Sequence, residues 1–123
     1  MGNKLPTNGL ASEREMPNEY PDRIELYDHV SNSGIVHLPG RRFPGITIQG
    51  DSMSSLLSET LYFMQKAREH ADEDMYYGAR NMAEVLRGHL LHYEEILERE
   101  GFEKPYTLDV AGLSLEEEFE DSC

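Results

Sequence analysis

Apolar and polar positions change rhythm twice along this chain. From Ile24 to Val30 they alternate, which sets Ile24, Leu26 and Val30 on one face of a strand and Tyr27 and His29 on the other. Ser31-Asn32-Ser33-Gly34 is turn chemistry, with Asn32 or Gly34 suited to positive φ, and Ile35-Val36-His37-Leu38 forms a second short strand. The pair predicts a hairpin with a four-residue loop. Ile46-Thr47-Ile48-Gln49 gives a third strand. Gly50-Asp51-Ser52 then breaks the alternation, with Asp51 or Ser52 as the N-cap of a helix.

From there the period lengthens to that of a helix. Met53, Leu56, Leu57, Leu61, Met64 and Ala67 recur at three- and four-residue steps and predict a helix over 52–71. Asp72-Glu73-Asp74 can cap a second helix, since carboxylates complement the positive end of its dipole. Met75, Ala79, Met82, Leu86, Leu90, Tyr93 and Leu97 carry it to Glu100, and Val85 and Ile96 add apolar residues beyond that face. Gly78 and Gly88 interrupt it at about 1 kcal/mol each, so something is expected to pack close to the backbone there. Gly101 followed by Phe102 reads as the end of the helix, a C′ glycine with its apolar partner. Tyr106-Thr107-Leu108-Asp109-Val110 is open to two readings, an extra edge strand or a docked segment. The predicted fold is α+β, a small antiparallel sheet of about three strands packed on a two-helix antiparallel hairpin.

The ends follow no such pattern. Residues 1–22, with Pro6, Pro17 and Pro21 among polar residues, read as a flexible N-terminal tail. Residues 23–106 form the α+β domain, and 107–123 an acidic C-terminal tail, solvated or acting as a recognition segment. At 123 residues there is room for one domain. No apolar run approaches the roughly 18 residues of a membrane span. The opening residues lack a secretory profile, and Pro6 stands where a myristoylation signal has Ser or Thr. Cys123 alone allows neither an intramolecular disulfide nor a thiolate metal site. A cytoplasmic location follows as the expectation.

Charge narrows the partners. The formal net charge is −13, with residues 24–50 neutral and residues 51–123 carrying −12. Such a chain repels phosphate backbones and anionic membranes, so neither nucleic acid nor a membrane is an expected partner. The one pair of adjacent basic residues, Arg41-Arg42, lies in the neutral stretch, inside Leu38-Pro39-Gly40-Arg41-Arg42-Phe43-Pro44-Gly45. Each Pro-Gly fits the centre of a type II turn. Two such turns make a stiff loop presenting Arg41, Arg42 and Phe43, whose guanidinium forks suit phosphate or carboxylate while the ring stacks. Free N–H groups of the helix starting at Ser52 would complete an anion cradle. Two things stand against it: the third strand sets its ends about 15 Å apart, and Asp51 repels an anion unless the cap engages it.

Other chemistry has thinner support. His89, His92 and Glu95 can share one helix face, but the first helix offers only Glu59, Glu69 and His70 in return, so no metal site and no cofactor are expected. Ser52, Ser54 and Ser55 lack a nucleophile elbow, and no catalytic residue is assigned. Tyr76, Tyr77 and Arg80 form a secondary candidate, a stacking or cation–π patch, with core packing of one tyrosine as its plainer role.

The run from Leu38 through Pro39-Gly40-Arg41-Arg42-Phe43-Pro44-Gly45 and an apolar strand to Gln49-Gly50-Asp51-Ser52 resembles a family of small bacterial proteins of unknown function, DUF6959. The likeness spans roughly residues 24–100, and is specific through the loop and weak through the helices. It implies a bacterial or phage source and a compact domain, with no activity attached. It also implies that Arg41, Phe43, Gln49, Gly50, Asp51 and Ser52 belong to one feature. The resulting expectation is a non-catalytic binding protein for a small anionic, nucleotide-like ligand, held by Arg41, Arg42, Phe43, Gln49, Asp51 and Ser52. The alternative is an acidic protein–protein inhibitor, an immunity protein or phage anti-defence factor, that masks a basic partner surface. Homo-oligomerisation through the second helix is expected in either case.

Overall fold

A computed structural model describes residue 20 and residues 22–30, 32–116 and 119. Most of the N-terminal tail, Ser31 in the first loop, and Glu117, Glu118 and residues 120–123, Cys123 included, lie outside the described residues. The order of elements is β1 (Glu25–Asp28), β2 (Ile35–His37), β3 (Gly45–Ile46), α1 (Gly50–Glu69) and α2 (Glu73–Glu100), an α+β protein. The chain divides into two compact units, one up to Thr47 and one from Ile48.

The first unit is a three-stranded antiparallel sheet in the order β1-β2-β3. Glu25 pairs with His37 and Leu26 with Val36, after which a bulge shifts Asp28 onto Ile35; Ile35 and Val36 pair in turn with Ile46 and Gly45. The strands are shorter than their apolar runs. The bulge ends the alternation before Val30, which is 88% exposed. Beyond β3, Thr47 clamps the first hairpin by donating its N–H to the Gly34 carbonyl (2.8 Å) and accepting the Gly34 N–H on Oγ1 (3.0 Å).

The second unit is the helical hairpin. Contact of Gly50 with Tyr93 at one end and of Arg68 with Tyr76 at the other makes the helices antiparallel. The connection is short because Asp72 serves both helices. Its N–H bonds to the Ala67 carbonyl (2.8 Å) and that of Ala71 to Arg68 (3.2 Å), closing α1 with Ala71 at φ 55°. Its carboxylate caps α2 by accepting the Met75 N–H (3.0 Å). At the far end of α2, Gly101 at φ 82° places Phe102 N–H on the Leu97 carbonyl (2.9 Å), the stop read from the sequence.

The buried face of α2 is rotated from the predicted stripe. Tyr76, Ala83 and Leu90 form its buried spine, with Ala79, Leu86 and Tyr93 alongside, whereas Met75 and Met82 face water. Ala83 and Ala67, both buried, let the helices close around Leu57 and Met64. The remaining space is filled from the C-terminal side. Val110 and Leu115 are buried in the same core, so residues 107–116 dock against the helices and form no strand. Arg87 pins it, Nε to the Val110 carbonyl (3.0 Å) and Nη2 to that of Ala111 (3.1 Å), and the Tyr106 hydroxyl donates to Glu94 Oε2 (2.6 Å). No helix among the described residues is long and apolar enough to cross a membrane.

Candidate functional site

The loop between β2 and β3 is held by its main chain. Arg41 N–H donates to the Leu38 carbonyl (3.3 Å) across Pro39-Gly40, and Gly40 takes φ 75°, as a type II turn requires. The Arg41 carbonyl in turn faces His37 Nε2 at 2.7 Å, which fixes the tautomer with hydrogen on that nitrogen. Both polar main-chain groups of Arg41 are thereby engaged. The second predicted turn does not form, because Gly45 is drawn into β3 opposite Val36 and is extended there. The result is one anchored turn leading into a short strand.

His37 was no candidate on sequence grounds. It is fully buried, whereas nearly every other described side chain of its unit is partly or wholly exposed. Its ring stands 6.3 Å from that of Tyr27, whose hydroxyl donates to Glu25 Oε1 (2.9 Å); the same oxygen lies 3.9 Å from His37 Nδ1. The one available signal was its position: a histidine directly before Leu-Pro-Gly, on the strand that the turn folds back over.

The side chains emerging from this anchor are exposed. The Arg42 guanidinium stacks over the Phe43 ring at 5.3 Å, and Phe43 is 72% exposed. Arg41, Arg42 and Phe43 thus come together on one loop of the first unit.

Gln49, Asp51 and Ser52 belong to the second unit, at the start of α1, and their roles differ from those expected. The N-cap is Gln49, extended at φ −61° and ψ 144°, with its carbonyl accepting the Met53 N–H (3.0 Å) and no side-chain cap. Asp51 lies inside the first turn, its carboxylate accepting the Ser52 N–H (2.7 Å). Gly50 is buried, and a Cβ there would overlap the Tyr93 ring, so this glycine serves helix packing. The helix begins two residues early because only a residue without a side chain fits beneath Tyr93.

Tyr76, Tyr77 and Arg80 form an occupied cluster. Tyr76 is buried, edge-on to Tyr77 (5.2 Å) and tilted to Phe119 (5.4 Å), and it accepts from Arg68 Nη2 (2.9 Å) while the same guanidinium lies over its ring (4.9 Å). Arg80 sits over Tyr77 at 5.4 Å, the predicted cation–π contact, and the Tyr77 hydroxyl accepts the Phe119 N–H (2.9 Å). This cluster seats the C-terminal segment. Beside it a groove of about 510 Å³ is lined by Leu61, Met64, Gln65, Arg68, Ser114 and Leu115, remote in sequence from the arginine loop. Among the described residues no three of His, Cys, Asp and Glu gather as a metal ion would require; His92 Nδ1 is 3.7 Å from Glu95 on the surface.

These features define a small α+β protein in which the loop between β2 and β3, anchored by its main chain, displays two arginines and an aromatic ring. The chain belongs to a family of unknown function, DUF6959, whose model matches residues 20–106. No curated protein and no solved structure matches it. Val110 and Leu115, both core residues, lie beyond the matched region.

Proposed function

We propose that the protein is a non-catalytic binder of a small anionic, nucleotide-like ligand, in a cytoplasmic setting, and that Arg41, Arg42 and Phe43 make the contact. The observation that supports this reading is the double anchoring of Arg41. With its N–H on Leu38 and its carbonyl on the buried His37, the Arg41 backbone is ordered before any ligand arrives, and the Arg42 side chain is held over Phe43. Preorganisation of that kind lowers the entropy lost on binding. Guanidinium pairs grip phosphate bidentately, and the exposed Phe43 ring offers a surface for a base. The loop is exposed, so the ligand would lie on a surface, with affinity coming from charge and stacking.

Thermal unfolding against nucleotides, cyclic dinucleotides and phosphorylated metabolites tests this. A ligand at about 100 times its Kd stabilises by about 2.7 kcal/mol, and Arg41→Ala and Arg42→Ala should each abolish the shift while leaving the unliganded transition in place. A panel without shifts refutes the reading. The charge of −12 on residues 48–123 then favours the second one, an inhibitor masking a basic protein surface, whose binding would weaken steeply with salt and ignore Arg41→Ala.

A further inference from the structure

We propose that α2 pairs with α2 of a second copy of this chain, along Met75, Gly78, Met82, Val85, His89 and His92. Three observations converge there. First, the rotation of the buried spine to Tyr76, Ala83 and Leu90 leaves Met75, Met82 and Val85 55–61% exposed on a helix that otherwise buries its apolar residues well. These positions follow the 3-4 spacing of a helix-pairing seam. The seam runs along Ala79, Leu86 and Tyr93, which pack against the core, so its apolar surface continues the core's margin.

Second, Gly78 and Gly88 lie mid-helix, where each disfavours the helix, and a Cβ added to either would meet nothing within 4 Å. Nothing among the described residues therefore accounts for them. A neighbouring helix backbone lying over Gly78, with Gly88 at the seam's margin, supplies the close packing that they permit.

Third, the charge pattern selects the occupant. Between Asp74 and Glu94 the helix carries one carboxylate, Glu84, which lies two residues past Met82 and so roughly 200° around the helix. In a chain of net charge −13, the central part of this face, from Gly78 to His89, can meet its own copy without setting carboxylate against carboxylate, while Asp74 beside Met75 and Glu95, 3.7 Å from His92, flank its two ends. Between those ends a basic partner would find no acid on the seam to pair with. From Met75 to His92 the seam is about 26 Å long, enough for a helix-pair interface at the small end of stable ones.

Sedimentation velocity on the full chain from about 1 to 300 µM tests the proposal, a range spanning Kd values ordinary for small interfaces. The expected result is a monomer–dimer equilibrium that raising salt does not weaken. Met82→Glu with Val85→Glu should abolish the dimer with an unchanged helical circular-dichroism spectrum, because both side chains are exposed. Gly78→Ala separates the seam from an unexplained surface glycine: it should raise the melting temperature of the dilute monomer while weakening association about tenfold. Arg41→Ala should change nothing here. A chain that stays monomeric throughout, or a dimer that survives the double substitution, overturns the proposal.

Discussion

Residues 24–47 and residues 48–123 are stabilised by different means. The sheet unit is electrically neutral, and Ile24, Leu26, Phe43 and Ile46 are all more than half exposed; among its described residues the one side chain buried completely is His37. Its order is written in hydrogen bonds: the ladders, the Thr47 clamp on Gly34, the turn at Gly40 and the imidazole on Arg41. The helical unit carries −12 yet buries Leu57, Ala83, Leu90 and Val110 completely. Apolar burial outweighs charge repulsion because its carboxylates sit mostly in water, where mutual repulsion is weak. The exposed arginine loop thus sits on a frame of directional bonds, and the solvated charge sits on a packed one.

The largest effect that should separate the two is core truncation. Leu57→Ala removes a fully buried side chain between the helices and should cost about 3 kcal/mol in urea unfolding. Ile46→Ala, at a position 67% exposed in the sheet, should cost less than about 1 kcal/mol. Equal costs would show that the sheet depends on apolar burial as the helices do, and would dissolve the contrast.

A smaller effect tests the sheet from its own side. His37→Phe retains a ring of similar breadth and deletes the bond to the Arg41 carbonyl. It should cost about 1 kcal/mol, since that exposed carbonyl can turn to water, and it should hasten amide exchange at Arg41, whose N–H closes the turn on Leu38. Unchanged exchange at Arg41 would mean that the Pro39-Gly40 turn needs no imidazole, and the anchor behind the arginine loop would lose half of its support.

The same contrast explains what could be read from the sequence. Features set by neighbours along the chain were legible: the Asp72 cap, the Gly101 stop, the Gly40 turn and the existence of two helices. Features set by distant contacts were not. The rotation of α2 depends on Val110 and Leu115 docking from beyond the acidic boundary, and composition at 107–123 masks those two apolar residues among carboxylates. The early start of α1 depends on Tyr93, more than forty residues away. Pro44-Gly45 has the chemistry of a turn, but pairing with Val36 extends Gly45. Within the candidate site, Arg41, Arg42 and Phe43 stood out as residue types, whereas His37 looked like an ordinary strand histidine until the turn folded over it.

The smallest effect concerns how the C-terminal segment is held. Burial, reinforced by donation to the Glu94 carboxylate and by that carboxylate's charge, raises the Tyr106 hydroxyl above the ordinary tyrosine range near about 10. A pKa raised in the folded state means that the native protein keeps a proton which the unfolded chain releases. The contribution is therefore complete below about pH 10, the unfolded value, and is lost as pH rises beyond it. Tyr106→Phe should cost about 1 kcal/mol at neutral pH, and the difference between wild type and variant should shrink as pH climbs above about 10, read by urea midpoints at successive pH values. The six other tyrosines are the same in both proteins and cancel in that difference. A difference that stays constant through pH 10–11 would place Tyr106 in water, and the segment's attachment would then rest on Arg87, on the buried Val110 and Leu115, and on Phe119 against Tyr76 and Tyr77.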